Sequence, residues 1–597
     1  MTPPQEMVLT GGRILDVEHR RVIQGDIRIR AGRIAAIEPP ETRRETDAAI
    51  IDAGGKYISP GFIDSHLHIE SSMLSPLEFS KQAALRGTTS VFVDPHEIAN
   101  VTGQAGLDLF LDQSAQVPIE IFIGIPSCVP ATPLEKAGAV ITLEVIQQYI
   151  SDPRVYGLAE MMNFPGIIHG DEQARAKVQY VYDYGKIVDG HCPGLNGEDL
   201  LTYISNGRGD GTVRIMSDHE STTAEEVLEK YEAGMWPMLR YGSASKDLDT
   251  ILPPLIDSGH SLERMLLCSD DLDPGELAES GHVDRIIRRA REIILQHTRD
   301  SMETATLKAL ALATLHPGQY FHRFFRHHNL PERGRITEGA AANLVVLDSL
   351  ESLGVDHVIC GGNLVVRDGQ LTGGDTEYDY TAFTGSVHPG RSITAADFTL
   401  RVPAGNRDQP VRVIRAIPGS LVTESLERRV KGINGEIPAD PAEDIAKIAV
   451  FERHKGTGAF SVGLVKGLGL QTGAVASTVA HDSHNLIVAG IEAPAMARAA
   501  NLLVEAGGGL AVVAGDQEKV LPLPIAGLMS TEDLPTVVEQ YGRLLEGVQH
   551  TGSRLETLFM TLSFLALPVI PELKITSNGL VDVGRFDFVS LFKEPAS

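Results

Sequence analysis

Pro60-Gly61-Phe62-Ile63-Asp64-Ser65-His66-Leu67-His68 is the stretch from which the rest of the chain can be read. An apolar run ends there in two histidines one residue apart. Residues i and i+2 of a strand face the same side, so both imidazoles can point out of one strand end and share an ion. Alone, such a pair also suits two packed or surface histidines. The residues further along the chain decide between these readings.

Eight apolar, strand-like runs (58–66, 89–94, 119–125, 155–160, 186–191, 213–219, 236–241 and 265–270) alternate with helical patterns. That alternation is the signature of βα units. Eight units in ~275 residues match a (β/α)8 barrel, whose active-site face is formed by the strand C-terminal ends. Glu160 closes the fourth run, His191 the fifth, His219 the sixth and Asp270 the eighth. With His66 and His68 they make four imidazoles and two carboxylates, all metal-ligand types. Six ligands exceed the three or four that one catalytic zinc takes. They suit two adjacent divalent ions that activate a shared water, with Glu160 as the bridge.

Around this barrel, short strands punctuated by glycine occur at 7–9, 13–15, 26–30 and 33–37, and again at 342–347, 357–360 and 363–367. One sheet assembled from both ends of an inserted domain explains the repetition. The expected fold class is therefore α/β. A (β/α)8 barrel (59–334) is inserted in a small β-sandwich domain (1–58 with 335–385), and a C-terminal α/β domain follows (386–597). Residues 384–408 read as a connection, and helical patterns lie near 494–505 and 536–546. The apolar stretch 558–570, broken by Thr561, Ser563 and Pro568, reads as a buried helix or strand rather than a membrane span.

Among the 597 residues, 52 Lys and Arg stand against 79 Asp and Glu, a net charge of −27. So acidic a chain disfavours nucleic acid and anionic membrane as partners. Cys128, Cys192, Cys268 and Cys360 form no CxxC, and residues 1–11 show no basic-then-apolar leader, so a cytoplasmic location is expected. No GxSxG elbow supports a serine nucleophile. Pro126-Ser127-Cys128-Val129-Pro130 lacks the second cysteine that the PCxxC-type zinc nucleobase deaminases need.

The opening stretch, with the later His, His and Asp, resembles the amidohydrolase superfamily. The stretch from Gly334 to Asp348 is similar to that superfamily's return into its β domain, with Ala342-Asn343-Leu344 where Ala-Asp-Leu is usual. Finer motifs resemble the adenine deaminase family: His68-Ile69-Glu70-Ser71-Ser72-Met73, Asp94-Pro95-His96-Glu97, His191-Cys192-Pro193-Gly194, Ser217-Asp218-His219-Glu220, Cys268-Ser269-Asp270-Asp271 and Ala480-His481-Asp482-Ser483-His484-Asn485. The resemblance implies hydrolysis of adenine to hypoxanthine and ammonia in purine salvage, with two divalent ions, manganese or iron before zinc. His66, His68 and Asp270 would hold one ion, His191 and His219 the other. Glu160 would bridge them in place of the carboxylated lysine of many relatives.

Asp270 would also take a proton from the attacking water. Glu97 is a candidate acid toward a purine nitrogen, or else a carboxylate at a helix N-terminus. His96 and Glu70 are further substrate-site candidates. Asp218, Glu220 and Asp271 would orient ligands, with a basic partner as the other reading of Asp271. His481 and His484 could bind metal, close over the barrel mouth, or make a turn or subunit contact. A homo-oligomer is expected. The rival enzyme reading is hydrolysis of a cyclic amide or an N-acyl group, with Arg240 anchoring an anionic substrate; a non-catalytic scaffold is the remaining one.

Overall fold

The computed structural model describes residues 6–40, 48–374, 376–402, 408–417, 420–433, 435–555 and 557–593. Residues 1–5 of the stretch read for a leader, and 403–407 of the expected connection, lie outside these.

Gly61 is the point where the chain passes from one sheet to another. Just before it, strand Tyr57–Pro60 pairs antiparallel with Leu344–Leu347 and parallel with Glu6–Asp16. The sheet they join has nine strands, drawn from residues 6–60 and 344–371. Strands from before residue 61 and after residue 343 thus lie in one sheet. The segments 7–9 and 13–15 are one strand, Glu6–Asp16, with a register shift between Leu9 and Gly12. A Cβ on Gly12 would lie 2.3 Å from Ile58 Cδ1, which is why a glycine stands there. Residues 58–60 belong to this sheet, so the first parallel run starts later than expected, at Phe62. A Cβ on Gly61 would meet Thr89 Oγ1 at 2.2 Å, so only glycine allows the crossing.

The strands that follow are parallel. Phe62–His68, Thr88–Val93, Glu120–Ile125, Val155–Met161 and Ile187–Gly190 lie side by side in chain order, and Asp270–Asp271 flanks Phe62–His68 on its other edge. Ser217–Asp218, Trp236–Arg240 and Leu266–Cys268 form a second parallel sheet. Ser269 alone separates Leu266–Cys268 from Asp270–Asp271. On the other side, Met216 N–H donates to Val188 C=O across the gap at 2.9 Å. The sixth run pairs over only two residues, because the amides of Arg214 and Ile215 both donate to the Ile204 carbonyl at a helix end. Every residue of Phe62–His68 is buried, as expected for parallel strands covered by helices on their faces. Beneath the site, Ile63, Phe92, Phe122, Tyr156, Phe321 and Phe324 pack as one apolar plug.

The C-terminal region is a mostly antiparallel eight-stranded sheet running from Asp408–Ala416 to Gln517–Pro522. Helices Ala493–Ala506 and Leu534–His550 stand where the periodicity places them. The stretch 558–570 is helix Leu558–Phe564 followed by turns, largely buried. Among the described residues, no helix is long and apolar enough to cross a membrane. All four cysteines are buried and unbridged.

Candidate active site

The six side chains expected as ligands gather at one end of the parallel strands. His66 and His68 sit two apart on Phe62–His68 and project from the same side. His68 Nδ1 lies 2.9 Å from the Asp94 carbonyl, which places a proton there and turns Nε2 inward. That Nε2 is 3.3 Å from Asp270 Oδ1 and 3.5 Å from Glu160 Oε1. Glu160 divides its oxygens: Oε1 faces His68, while Oε2 is 2.6 Å from His191 Nδ1 and 3.2 Å from His219 Nε2. Both ring nitrogens of His66 are buried without a hydrogen-bond partner among the described residues. The ligand atoms of His66, His68 and Asp270 lie within 4.8 Å of one another, as do those of His66, Glu160 and His219. Orphaned buried imidazoles beside shared carboxylates are a donor set suited to divalent metal.

Polar contacts underneath hold these ligands in place. Asp64 accepts from the Ser269 amide and hydroxyl at 3.1 and 2.6 Å, fixing the residue before Asp270. His282 Nε2 stands 2.9 Å from the same carboxylate. Asp218 accepts from the Cys192 amide at 2.9 Å and from Lys230 Nζ at 2.9 Å. It thus ties the loop after His191 to the loop that carries His219. Glu220 approaches His219 only to 3.6 Å and pairs with Arg240 instead. Asp271 accepts from Ser71 Oγ at 2.6 Å; no basic residue pairs with it among the described residues. Arg240 is held by Glu220, Asp247 and Asp270, so it is not available to anchor a substrate anion.

The charge states follow from this crowding. Burial alone would raise Glu160, but His191 and His219 overrule it and hold its carboxyl well below the usual range. Asp270 is likewise low, through His68 and Arg240 against burial. Nearby, burial dominates: Glu97 is held well above the usual carboxyl range, Glu70 at about 7 and Asp271 at about 6. Glu97 opens helix His96–Thr102, yet the carboxylate that accepts a helix amide there is Glu70, from Ile98 N–H at 3.2 Å. Glu97 Oε1 instead lies 3.1 Å from Ser71 Oγ, whose own proton goes to Asp271. His96 Nδ1 stands 3.3 Å from Asp94 Oδ2 and 3.4 Å from Glu160 Oε1, so it adjoins the ligand cluster directly.

The C-terminal region reaches into this same place. His481 Nδ1 is 3.7 Å from Glu97 Oε1, His484 Nε2 is 3.8 Å from Glu97 Oε2, and Asp482 Oδ1 is 3.8 Å from His96 Nε2. The cavity over the ligands is walled on that side by Leu421, Phe564, Leu567, Val569 and Ile570. This apolar wall and Asp482 were missed from sequence. Apolar side chains carry no sign of whether they face a core or a cavity, and Asp482 reads as a turn former.

Residues 57–365 match the amidohydrolase family, and 420–587 match the adenine deaminase C-terminal domain. An adenine deaminase of Desulfatibacillum aliphaticivorans is 42% identical over 592 residues, which is 99% of this chain and 98% of that one. The chain belongs to the adenine deaminase family. Two further family members, from Methanothrix thermoacetophila and Nitratidesulfovibrio vulgaris (strain DP4), are each 40% identical, over 99% and 98% of this chain and 97% and 96% of their own. The chain is thus similar to these adenine deaminases in both regions that meet at the site.

Proposed function

We propose that this chain hydrolyses adenine to hypoxanthine and ammonia with two divalent ions, manganese or iron before zinc, in purine salvage. In this reading the two parallel sheets are one (β/α)8 barrel of residues 59–334. It is inserted in a small β-sandwich domain of 1–58 with 335–385 and followed by the α/β domain 386–597. The observation that carries it is the divided carboxylate of Glu160, one oxygen toward His68 and the other toward His191 and His219. His66, His68 and Asp270 would hold one ion and His191 and His219 the other, with Glu160 shared between the two sets. Bound there, the ions supply Lewis acidity and bring the pKa of water from ~15.7 to near 7.

The chain's own residues do the rest. The apolar wall from Leu421 to Ile570 holds a flat base against the ligand cluster and excludes water. Oxygen adds to purine C6. Asp270, ionised, takes the proton that the water releases. Glu97, kept protonated by burial, donates to ring nitrogen as C6 becomes tetrahedral. Asp270 then passes its proton to the exocyclic nitrogen, the C–N bond breaks and ammonia leaves. The remaining hydroxyl proton restores the acid, so the sum is adenine plus water to hypoxanthine plus ammonia. The rival reading, an anionic cyclic amide, loses its anchor because three carboxylates already hold Arg240.

Ammonia release from metal-stripped protein, before and after reloading with Mn2+, tests this reading, with adenosine and dihydroorotate as controls. The expected result is release from adenine alone and only after reloading. No release from adenine with two ions bound per chain would sink the substrate assignment.

A further inference from the structure

His484 faces Glu97 from another domain, and its tautomer is decided by its own backbone. The Ala480 amide donates to His484 Nδ1 at 3.1 Å. An amide N–H can only donate, so Nδ1 must be the acceptor nitrogen, and the proton of the neutral ring sits on Nε2. Burial keeps the ring neutral, reinforced by His481 and Arg453. Nε2–H lies 3.8 Å from Glu97 Oε2, and neither atom has a hydrogen-bond partner among the described residues although both side chains are fully buried. Such hydrogen bonds are often long in unliganded sites and tighten in the substrate complex.

The ligand atoms of Glu97, His481 and His484 also lie within 4.8 Å of one another, as a metal site requires. The tautomer argues against an ion there, because Nε2 has a hydrogen where a ligand needs a lone pair. The turn that presents His484 is held firmly. The buried Arg453 guanidinium donates to the His484 carbonyl, and Asn485 Nδ2 donates to the Lys136 carbonyl at 2.8 Å, across the domain boundary.

We propose that His484 is a positioning residue: the C-terminal domain uses its Nε2–H to hold the Glu97 carboxyl group at Oε2, while Oε1 rests 3.1 Å from Ser71 Oγ of the barrel. This rests on the reading of Glu97 as the acid toward the purine ring. As the Nε2–H contact to Oε2 tightens in the substrate complex, the acid is held in one orientation, and a barrel without this tail would lack that aim.

The test compares E97Q, H484L, H484Q and E97Q/H484L in the manganese-loaded full chain, reading kcat, KM and metal content. H484L is expected to lower kcat by about 10- to 100-fold, with KM within about threefold and metal content unchanged. Glutamine can place an N–H near the position of Nε2, so H484Q is expected within about threefold of the parent kcat. E97Q/H484L is expected to be no slower than E97Q, since the two act as one unit. Equal losses in H484L and H484Q, additive losses in the double variant, or an ion lost with His484 would overturn the proposal. A slow E97Q beside an unimpaired H484L would sink the role of His484 alone, whereas a fully active E97Q would sink the reading of Glu97 itself. Should H484L fail to fold, H484Q decides: near-parent kcat supports the positioning role, and a loss as deep as that of E97Q overturns it.

Discussion

Lys230, under the ends of the parallel strands, and Lys574, in the C-terminal domain, are both fully buried lysines with opposite surroundings. Lys230 donates to Asp218 and Glu226 as well as to the Cys192 carbonyl, and these charges overcome burial to raise its pKa. Lys574 donates only to the carbonyls of Leu421 and Phe564 among its described bonds, and burial lowers it to about 7. Two histidines of the ligand cluster, His68 and His219, repeat the pattern, while His66 between them is held well below its usual range by burial and by His219 and His68. Burial works against charge in all of them, yet Glu160 and Asp270 lift His68 well above its usual range and Glu160 lifts His219 to about 9. Across the cavity His481 and His454 fall to about 3, through burial and then neighbouring positive groups. One side of the cavity is rich in negative charge and suited to cations; the other offers apolar surface and neutral donors.

The deepest effect is expected on the charged side. Glu160→Ala removes the group facing both halves of the ligand set, and kcat is expected to fall by at least about 10³-fold. Metal per chain should drop from two ions to one or none, read by elemental analysis of the desalted protein. Two retained ions with a rate within tenfold of the parent would break the contrast at its centre. Next in size is Lys230→Met, which strands the buried Asp218 and the nearby Glu226. Removing one partner of a buried ion pair costs about 3 kcal/mol or more, to be read from the denaturant midpoint, and the metal site should loosen with it. On the apolar side, Phe564→Ala removes a ring stacked on His481 at 4.7 Å and part of the wall. KM is expected to rise about tenfold and kcat to change little, because an apolar contact holds substrate and transition state alike. A fall in kcat with KM unchanged would place chemistry on the side assigned to packing.

The charged side was legible in the sequence and the apolar side was not. His66, His68, Glu160, His191, His219 and Asp270 stand at the ends of apolar runs, where a polar residue is conspicuous, and the structure gathers all six. Leu567, Val569 and Ile570 belong to an apolar stretch that reads equally as core, and nothing local reveals that it faces a cavity. Arg240 could be seen at a strand end, but Asp270, thirty residues on, takes its charge through a contact between neighbouring strands that no local pattern encodes. The start of the first parallel strand was misplaced because Ile58, Ser59 and Pro60 run on into Phe62 with no charged residue between them; the signal was Gly61, which only close packing explains. His481 and His484 were visible as a motif, but whether they bind metal, close over the barrel mouth, or make a turn or subunit contact depended on how the C-terminal region docks.

The two lysines also separate by pH. Lys574 has its folded pKa depressed from 10.5 to about 7. Between those values the unfolded chain binds the extra proton, so stability from this position rises with pH across the window, and the penalty is complete below pH 7. Lys230, raised in the fold, behaves the other way: its contribution is fully present below the unfolded value and is lost only as pH climbs through the folded one. Lys574→Met removes the titration along with two hydrogen bonds to carbonyls. The hydrogen bonds shift stability by an amount independent of pH, whereas the titration does not. The melting temperature of Lys574→Met minus that of the parent is therefore expected to be most favourable near pH 6 and to decline steadily toward pH 10. A difference that stays flat over that range would mean that Lys574 remains charged in the fold. The C-terminal side would then have to hold an uncompensated cation next to the apolar wall, and the contrast between the two sides would fail there.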